Sequence, residues 1–216
     1  GEAEYLADMQ VPGLLHGKVL RSPHPHAKIR SIDTSKAERL PGVLGVISRN
    51  NTPPTKWGIF IPDEQAFCHE KVRFIGDEVA AVAAETPQIA GEALSKINVE
   101  YELLSASLTT EEALMDGASA IHEEGKNNCA SDFKVERGDV EEAFKGAHKT
   151  FEETYQTQMA HQAYIEPTGV MGHWKDDGTV TVWGPLQSPF TVREYMLGPG
   201  LHLPEDKIQV IQTRSG

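Results

Sequence analysis

One stretch, KVRFIGDEVAAVAAETPQIAGEALSKINVEYELL (residues 71–104), constrains the fold of this chain more tightly than any other. Thr86 has the side chain of a helix N-cap, and Pro87 suits the first helical position, where a missing N–H costs nothing. Apolar residues then fall at Ile89, Ala90, Ala93, Leu94 and Ile97, a helical period. VAAVAA before the helix and NVEYELL after it read as strands. Gly76–Asp77 breaks the apolar run that Val72 and Phe74 begin. The unit predicted is strand, turn, strand, helix, strand, and the fold class is α+β.

The flanking segments extend that pattern. LLHGKVLRS (14–22) lies between Pro12–Gly13 and Pro23 and reads as a strand. AKIRSIDT reads as a second, anchored by Ile29 and Ile32. TSKAERL is a short helix that Pro41–Gly42 ends, VLGVIS (43–48) a buried strand, and NNTPPTKWG a loop. TTEEALMDGA is a helix that Thr109 or Thr110 can cap, and the polar, Gly/Asn-rich residues 122–132 form a linker between two parts.

The second part opens on RGDVEEAFKGA. Asp139 and Glu142 have capping-box spacing there, and Val140, Ala143, Phe144 and Ala147 form an apolar stripe. The helix is expected to end near Ala147, with TFEETYQTQMAHQAYIE following as a long strand. A hairpin about Asp177–Gly178 comes next. TVREYMLGPG reads as a helix stopped at Gly198–Pro199–Gly200, and PEDKIQVIQ as a last strand.

Bulk properties exclude several classes of function. The 216 residues carry a net charge of −12, which argues against a general nucleic-acid partner, since phosphate binding needs a basic face. No apolar run reaches the ~18 residues of a membrane span, and the N-terminus lacks a secretory signal. Cys68 and Cys129 match no zinc or redox spacing, so the expectation is free thiols in a reducing cytoplasm. The absence of a starting Met and a final strand-like run reaching almost to Gly216 lead to the expectation of a piece of a longer polypeptide.

The local chemistry yields no self-contained catalytic set. In AHQAYIEPTG (160–169), His161 and Glu166 are five residues apart, on opposite faces of a strand and off one face of a helix, so a polar strand is favoured over a metal site. His24 and His26 could share a strand face, but Pro25 between them favours a turn with exposed histidines. Cys68 and His69 are adjacent and point apart in a strand, which weakens a thiol–imidazole dyad. Ser22, Ser31 and Ser188 lack a nucleophile elbow, and no glycine-rich phosphate loop is present. A His-based metal hydrolase is the weakest of the functional readings.

Three segments taken together resemble the large molybdenum-cofactor subunits of the xanthine dehydrogenase/aldehyde oxidase group. They are GEAEYLADMQVPGLLHGKVLRSPHPHAKIRSIDTSKAERLPGV, VRFIGDEVAAVAAETPQIAGEALSKINVEYELL, and the series RGDVEEAFKGA, HQAYIEPTG, GTVTVWGPLQSP and LPEDKIQVI. Their order and spacing carry the likeness across essentially the whole chain. The resemblance implies an α/β hammerhead domain over 1–121, a linker at 122–132, and the opening of a molybdopterin-binding α+β domain over 133–216. It implies a molybdenum hydroxylase that oxidises an aldehyde or N-heterocycle with water as oxygen source. Electrons leave such an enzyme through [2Fe-2S] and FAD subunits or domains. In bacterial members the cofactor is commonly the cytosine dinucleotide form of molybdopterin.

By the same resemblance, Gln187 matches the glutamine whose amide donates to an oxo ligand of molybdenum, and Gly216 matches the first glycine of the loop that wraps the cofactor. Glu166 matches a glutamate of structural or near-site role rather than the catalytic base. No catalytic residue and no metal ligand is assigned within these 216 residues. The rest of the glycine loop and the catalytic glutamate are expected beyond Gly216, so residues 1–216 alone are expected to be inactive, with Gln187 near the surface. The competing reading is a non-catalytic hammerhead-type module for assembly or interaction.

Overall fold

The computed structural model describes residues 2–122 and 128–216; part of the 122–132 segment therefore lies outside the described residues. The expected strands of the first part form as β1 (His16–Arg21), β2 (Ala27–Asp33), β3 (Val43–Ser48), β4 (Lys71–Val72), β5 (Glu78–Ala84) and β6 (Asn98–Leu103). They make two three-stranded antiparallel sheets, in the orders β1-β5-β3 and β4-β2-β6. The two strands either side of Gly76–Asp77 therefore belong to different sheets. The turn between them is pinned: the Asp77 carboxylate accepts from the Arg73 N–H (2.8 Å), and Ser22 and residues 76–77 exchange two backbone hydrogen bonds of 2.8 Å.

Helix α1 (Ser35–Glu38) is short, and α2 (Pro87–Lys96) runs from the first sheet to the second. The Thr86 hydroxyl accepts the Ile89 N–H at 3.2 Å, the N-cap the sequence predicts. The helix lies against β1, β5 and α1. Small residues explain how closely it can do so, because Ala80 and Ala84 of β5 and Ala90 and Ala93 of α2 are completely buried within one core. That core takes residues from both sheets, including Ala27, Ile29 and Ile32 of β2 and Val72 of β4.

Burial of both Ile29 and Ile32 is at odds with simple alternation, since three residues apart in a strand means opposite faces. The ladder resolves this with a bulge. Ile29 pairs with Tyr101 and Ser31 with Glu100, which leaves Arg30 as the extra residue and turns Ile32 back to the core. The bulge frees backbone carbonyls, and Arg49 collects them. Its guanidinium donates to the carbonyls of Ile29 (2.9 Å), Arg30 (3.0 Å) and His69 (2.5 Å). Neighbours in the same loop continue the stitch: Asn50 donates to the Ile32 carbonyl, and Asn51 donates to that of Val46 while its own oxygen takes the Ser48 N–H. The segment after β3 thus ties the first sheet to the irregular strand of the second.

Two further helices carry predicted caps. Thr109, rather than Thr110, accepts from Glu112 at the start of α3 (Thr110–Leu114), and Asp139 accepts from Glu142 at the start of α4 (Val140–Gly146). The α4 stripe is not buried, and Phe144 is largely exposed. The long strand expected from Thr150 to Glu166 does not form. No strand is assigned over 148–170, its apolar residues are exposed, and Ala163 adopts a left-handed φ of +56°. The residues have strand propensity but gain no ladder partner, and partners are what stabilise a strand.

A third sheet follows, in the order β7 (Met171–Trp174), β8 (Val180–Gly184), β9 (Ile208–Gln212). β7 and β8 form the predicted hairpin, and β8 and β9 run parallel. A parallel pair needs a crossover. It is supplied by α5 (Pro189–Thr191), a π-helical segment (Val192–Leu197) and α6 (Gly198–Leu201). The predicted stop at Gly198–Pro199–Gly200 fails because the π segment widens the helix just before Pro199. The Gly198 N–H reaches the Arg193 carbonyl, and Pro199 opens a new turn, where it needs no N–H. The run ends instead at His202, with φ +54° and the paired hydrogen bonds His202→Pro199 and Leu203→Gly198 of a Schellman motif. His202 takes the place usually filled by glycine, and its Nε2 meets Thr55 Oγ1 at 2.9 Å. Gly200 is open for a matching reason: a Cβ there would stand 3.2 Å from the Trp57 ring. The loop after β3 thereby packs on the crossover of the third sheet.

The Arg49 stitch is testable by chemical denaturation. Arg49→Ala is expected to lower unfolding stability by roughly 3 kcal/mol, and Arg49→Lys to recover less than half of that, because an ammonium cannot span three carbonyls. Equal stability of the lysine variant and wild type would rule out the fork geometry.

Candidate functional site

The sequence offers three local clusters and, by family likeness, two separate site residues; the structure takes the three clusters apart. His24 packs edge-on against Tyr101 at 4.9 Å, while His26 is buried and donates from Nδ1 to the Ser105 carbonyl at 2.7 Å. The turn is present, but its histidines are not the exposed pair expected, and they converge on no common point. Cys68 is buried, and the groups that act on its thiol are Asp77, Arg73 and Glu78 rather than His69. Burial pushes the Cys68 thiol far above its ordinary range, and its hydrogen bond to Asp77 pushes the same way. His161 takes the Ala163 N–H at 2.9 Å and leans on the Tyr164 ring, so His161 and Glu166 have different partners. Among the described residues, no group of three His, Cys, Asp or Glu side chains is placed to hold a metal ion.

The two site residues lie at the carboxyl end of the parallel pair. Ligands of open α/β sheets bind outside the carboxyl ends of strands, where the chain turns away. There the Gly184 carbonyl accepts from both Leu186 and Thr213, each at 2.9 Å, so the end of β8 and the exit of β9 share one anchor. Gln187 follows on the turn before α5 and is exposed, as expected. Beyond β9, Arg214 bridges in parallel to Tyr5, which brings the N-terminal segment alongside.

Gly216 comes next, and its N–H donates to Glu166 Oε2 at 2.8 Å. A Cβ on Gly216 would stand 2.9 Å from the Glu166 Cβ and 3.4 Å from the Tyr5 ring. The second Glu166 oxygen, Oε1, is buried without a partner. Gln187 and Gly216, picked out separately in the sequence, thus fall at the same end of one sheet. Tyr5 was not readable, and for Glu166 the resemblance implied only a structural or near-site role, not its bond to Gly216. The only signal for Glu166 was the Glu–Pro pair that closes AHQAYIEPTG.

The strand end thus carries an exposed amide, a close-packed glycine backbone and a carboxylate with one oxygen bonded and the other unpartnered. Residues 1–105 match the family described as aldehyde oxidase and xanthine dehydrogenase, a/b hammerhead domain, and residues 121–216 match the molybdopterin cofactor-binding domain. The chain belongs to the xanthine dehydrogenase/aldehyde oxidase family of molybdenum-dependent oxidoreductases.

It is 40% identical over 217 residues to a probable xanthine dehydrogenase subunit of Bacillus subtilis (strain 168), covering 100% of this chain and 29% of the relative. It is 38% identical to the nicotinate dehydrogenase large molybdopterin subunit of Eubacterium barkeri, covering 100% and 50%. The structure of quinoline 2-oxidoreductase from Pseudomonas putida 86 superposes with a TM-score of 0.86 at 28% identity, over 98% of this chain and 28% of that one. The chain therefore spans half or less of the length of these relatives.

The two thiols should differ sharply. Cys129 is exposed and Cys68 buried. A disulfide reagent at neutral pH is expected to modify Cys129 promptly and Cys68 only on unfolding, read by mass spectrometry of digested peptides. Equal labelling in the native protein would contradict the buried position of Cys68.

Proposed function

We propose that this chain is the opening part of the large subunit of a molybdenum hydroxylase. In this reading, residues 1–121 form its hammerhead unit, 122–132 the joint, and 133–216 the first wall of the cofactor site. The two family matches support a chain of two parts, the first match ending at residue 105 and the second beginning at 121, ahead of the proposed joint. The observation that carries the reading is that Gln187 and the Glu166–Gly216 hydrogen bond lie at the same carboxyl end of the β8–β9 pair. That end fits a molybdopterin group: it presents an exposed amide donor and a buried carboxylate oxygen that has no donor.

When bound, the molybdenum centre supplies a two-electron oxidation of an aldehyde or N-heterocycle, with oxygen taken from water. The chain's own residues bind and orient. Gln187 has an NH₂ that can donate to an oxo acceptor, and its exposure leaves that group free to do so. Gly216 has no Cβ, which lets its backbone pack against Glu166 and Tyr5 beside that end of the sheet. Helix crossover and hairpin hold the strand end rigid, which keeps such donors preorganised. Electrons would leave through [2Fe-2S] and FAD subunits or domains, and the remainder of the molybdopterin subunit would complete the site. The net charge of −12 and the two unpaired cysteines fit an enzyme of the cytoplasm that engages neither nucleic acid nor membrane. Among the described residues, no helix is long and apolar enough to cross a membrane.

Two measurements test this. Residues 1–216 produced alone are expected to carry no stoichiometric molybdenum and to reduce no dye with aldehyde or heterocycle substrates; metal analysis showing one molybdenum per chain, with turnover, would refute it. In the complete enzyme, Gln187→Ala is expected to lower kcat/KM about a hundredfold with molybdenum content and Tm nearly unchanged, the pattern for loss of one preorganised donor. A normal rate with full cofactor would remove Gln187 from the site.

A further inference from the structure

The Glu166 carboxylate is half used, and that is its most informative property. Its Oε2 holds the Gly216 N–H at 2.8 Å, while Oε1 is buried with no partner. Buried polar atoms in folded proteins are satisfied almost without exception, and a carboxylate oxygen left without a donor is among the costliest to leave so. Two nearby donors already have partners: Ala163, in a left-handed conformation, gives its N–H to His161, and Thr168 gives its hydroxyl to Tyr164. Tyr5 and Gly216 lie against the Glu166 side chain, at the same strand end as Gln187.

We propose that Glu166 is a positioning residue with two distinct duties: Oε2 fixes the backbone at Gly216, and Oε1 accepts a hydrogen bond from a nitrogen donor of the bound pterin. This rests on the reading of the site given above. An ionised carboxylate can only accept hydrogen bonds, so Oε1 is satisfied by a donor and by nothing else. An amide of the same shape would keep the Oε2 duty but would turn an NH₂ toward a ligand N–H, setting donor against donor. A site built to bond a particular group strongly rejects one that leaves it unpaired.

The test uses the full-length protein in three forms, wild type, Glu166→Gln and Glu166→Ala, each prepared from a host that makes the pterin cofactor and from one that cannot. Molybdenum is read by mass spectrometry, pterin by its fluorescent oxidation product, and stability by Tm of the cofactor-free protein. Glu166→Gln is expected to leave the cofactor-free Tm near that of wild type while lowering both molybdenum and pterin content about tenfold. Glu166→Ala is expected to lower content and Tm together.

A glutamine variant that loads like wild type would overturn the assignment of Oε1 to the cofactor. So would one whose cofactor-free Tm falls as far as that of the alanine variant, since the second oxygen would then serve the protein's own backbone. A wild-type protein that carries no molybdenum or pterin would overturn the proposed function and this inference with it; a loaded wild type beside a loaded glutamine variant overturns this inference alone.

Discussion

The fork of Arg49 into three carbonyls is the contact on which the first half of this molecule depends. A β-bulge at Arg30 is needed to bring Ile32 back to the core, and a bulge releases backbone acceptors that water cannot easily satisfy beside a packed interior. A planar, permanently charged donor fork meets that demand from one side chain, and it reaches the His69 carbonyl as well. Removing the bulge would spare the arginine its task but would point Ile32 at solvent. The irregular strand and the cation are one solution.

The same economy recurs at the other end of the chain. His202 ends the crossover in a left-handed conformation that a histidine tolerates at a cost, and its ring meets Thr55 in the loop after β3. That loop also sets Trp57 over Gly200. The crossover that carries the chain from β8 back to β9 is thus braced by the unit that precedes it, and the end of the parallel pair inherits its position from both. Catalytic and binding groups gain most from such support when their own side chains lie on turns, as Gln187 does.

Much of this was legible in advance wherever a local rule was sufficient. Thr86, Thr109 and Asp139 cap helices because short oxygens next to free N–H groups have few better options, and the hairpin at Asp177–Gly178 follows from turn chemistry alone. Errors came where local preference needed a partner that sequence cannot name. Residues 150–166 have the composition of a strand and no neighbour to pair with, and the glycine–proline stop near residue 199 was overridden by a change of helical winding. At the site, Gln187 and Gly216 were reachable through family likeness only. The bond from Glu166 to Gly216 links residues fifty positions apart, and no spacing rule reaches across that distance.

Tyr5 lies beside Arg214, so residues from the two extremes of the described chain lie strand to strand. A polypeptide arranged in this way is closed like a clasp: the covalent chain, the packing of Thr55 and Trp57 on the crossover, and the meeting of the first residues with the last all join the hammerhead-like unit to the strand-end site. A nick between the units would leave two pieces that still present complementary faces to each other.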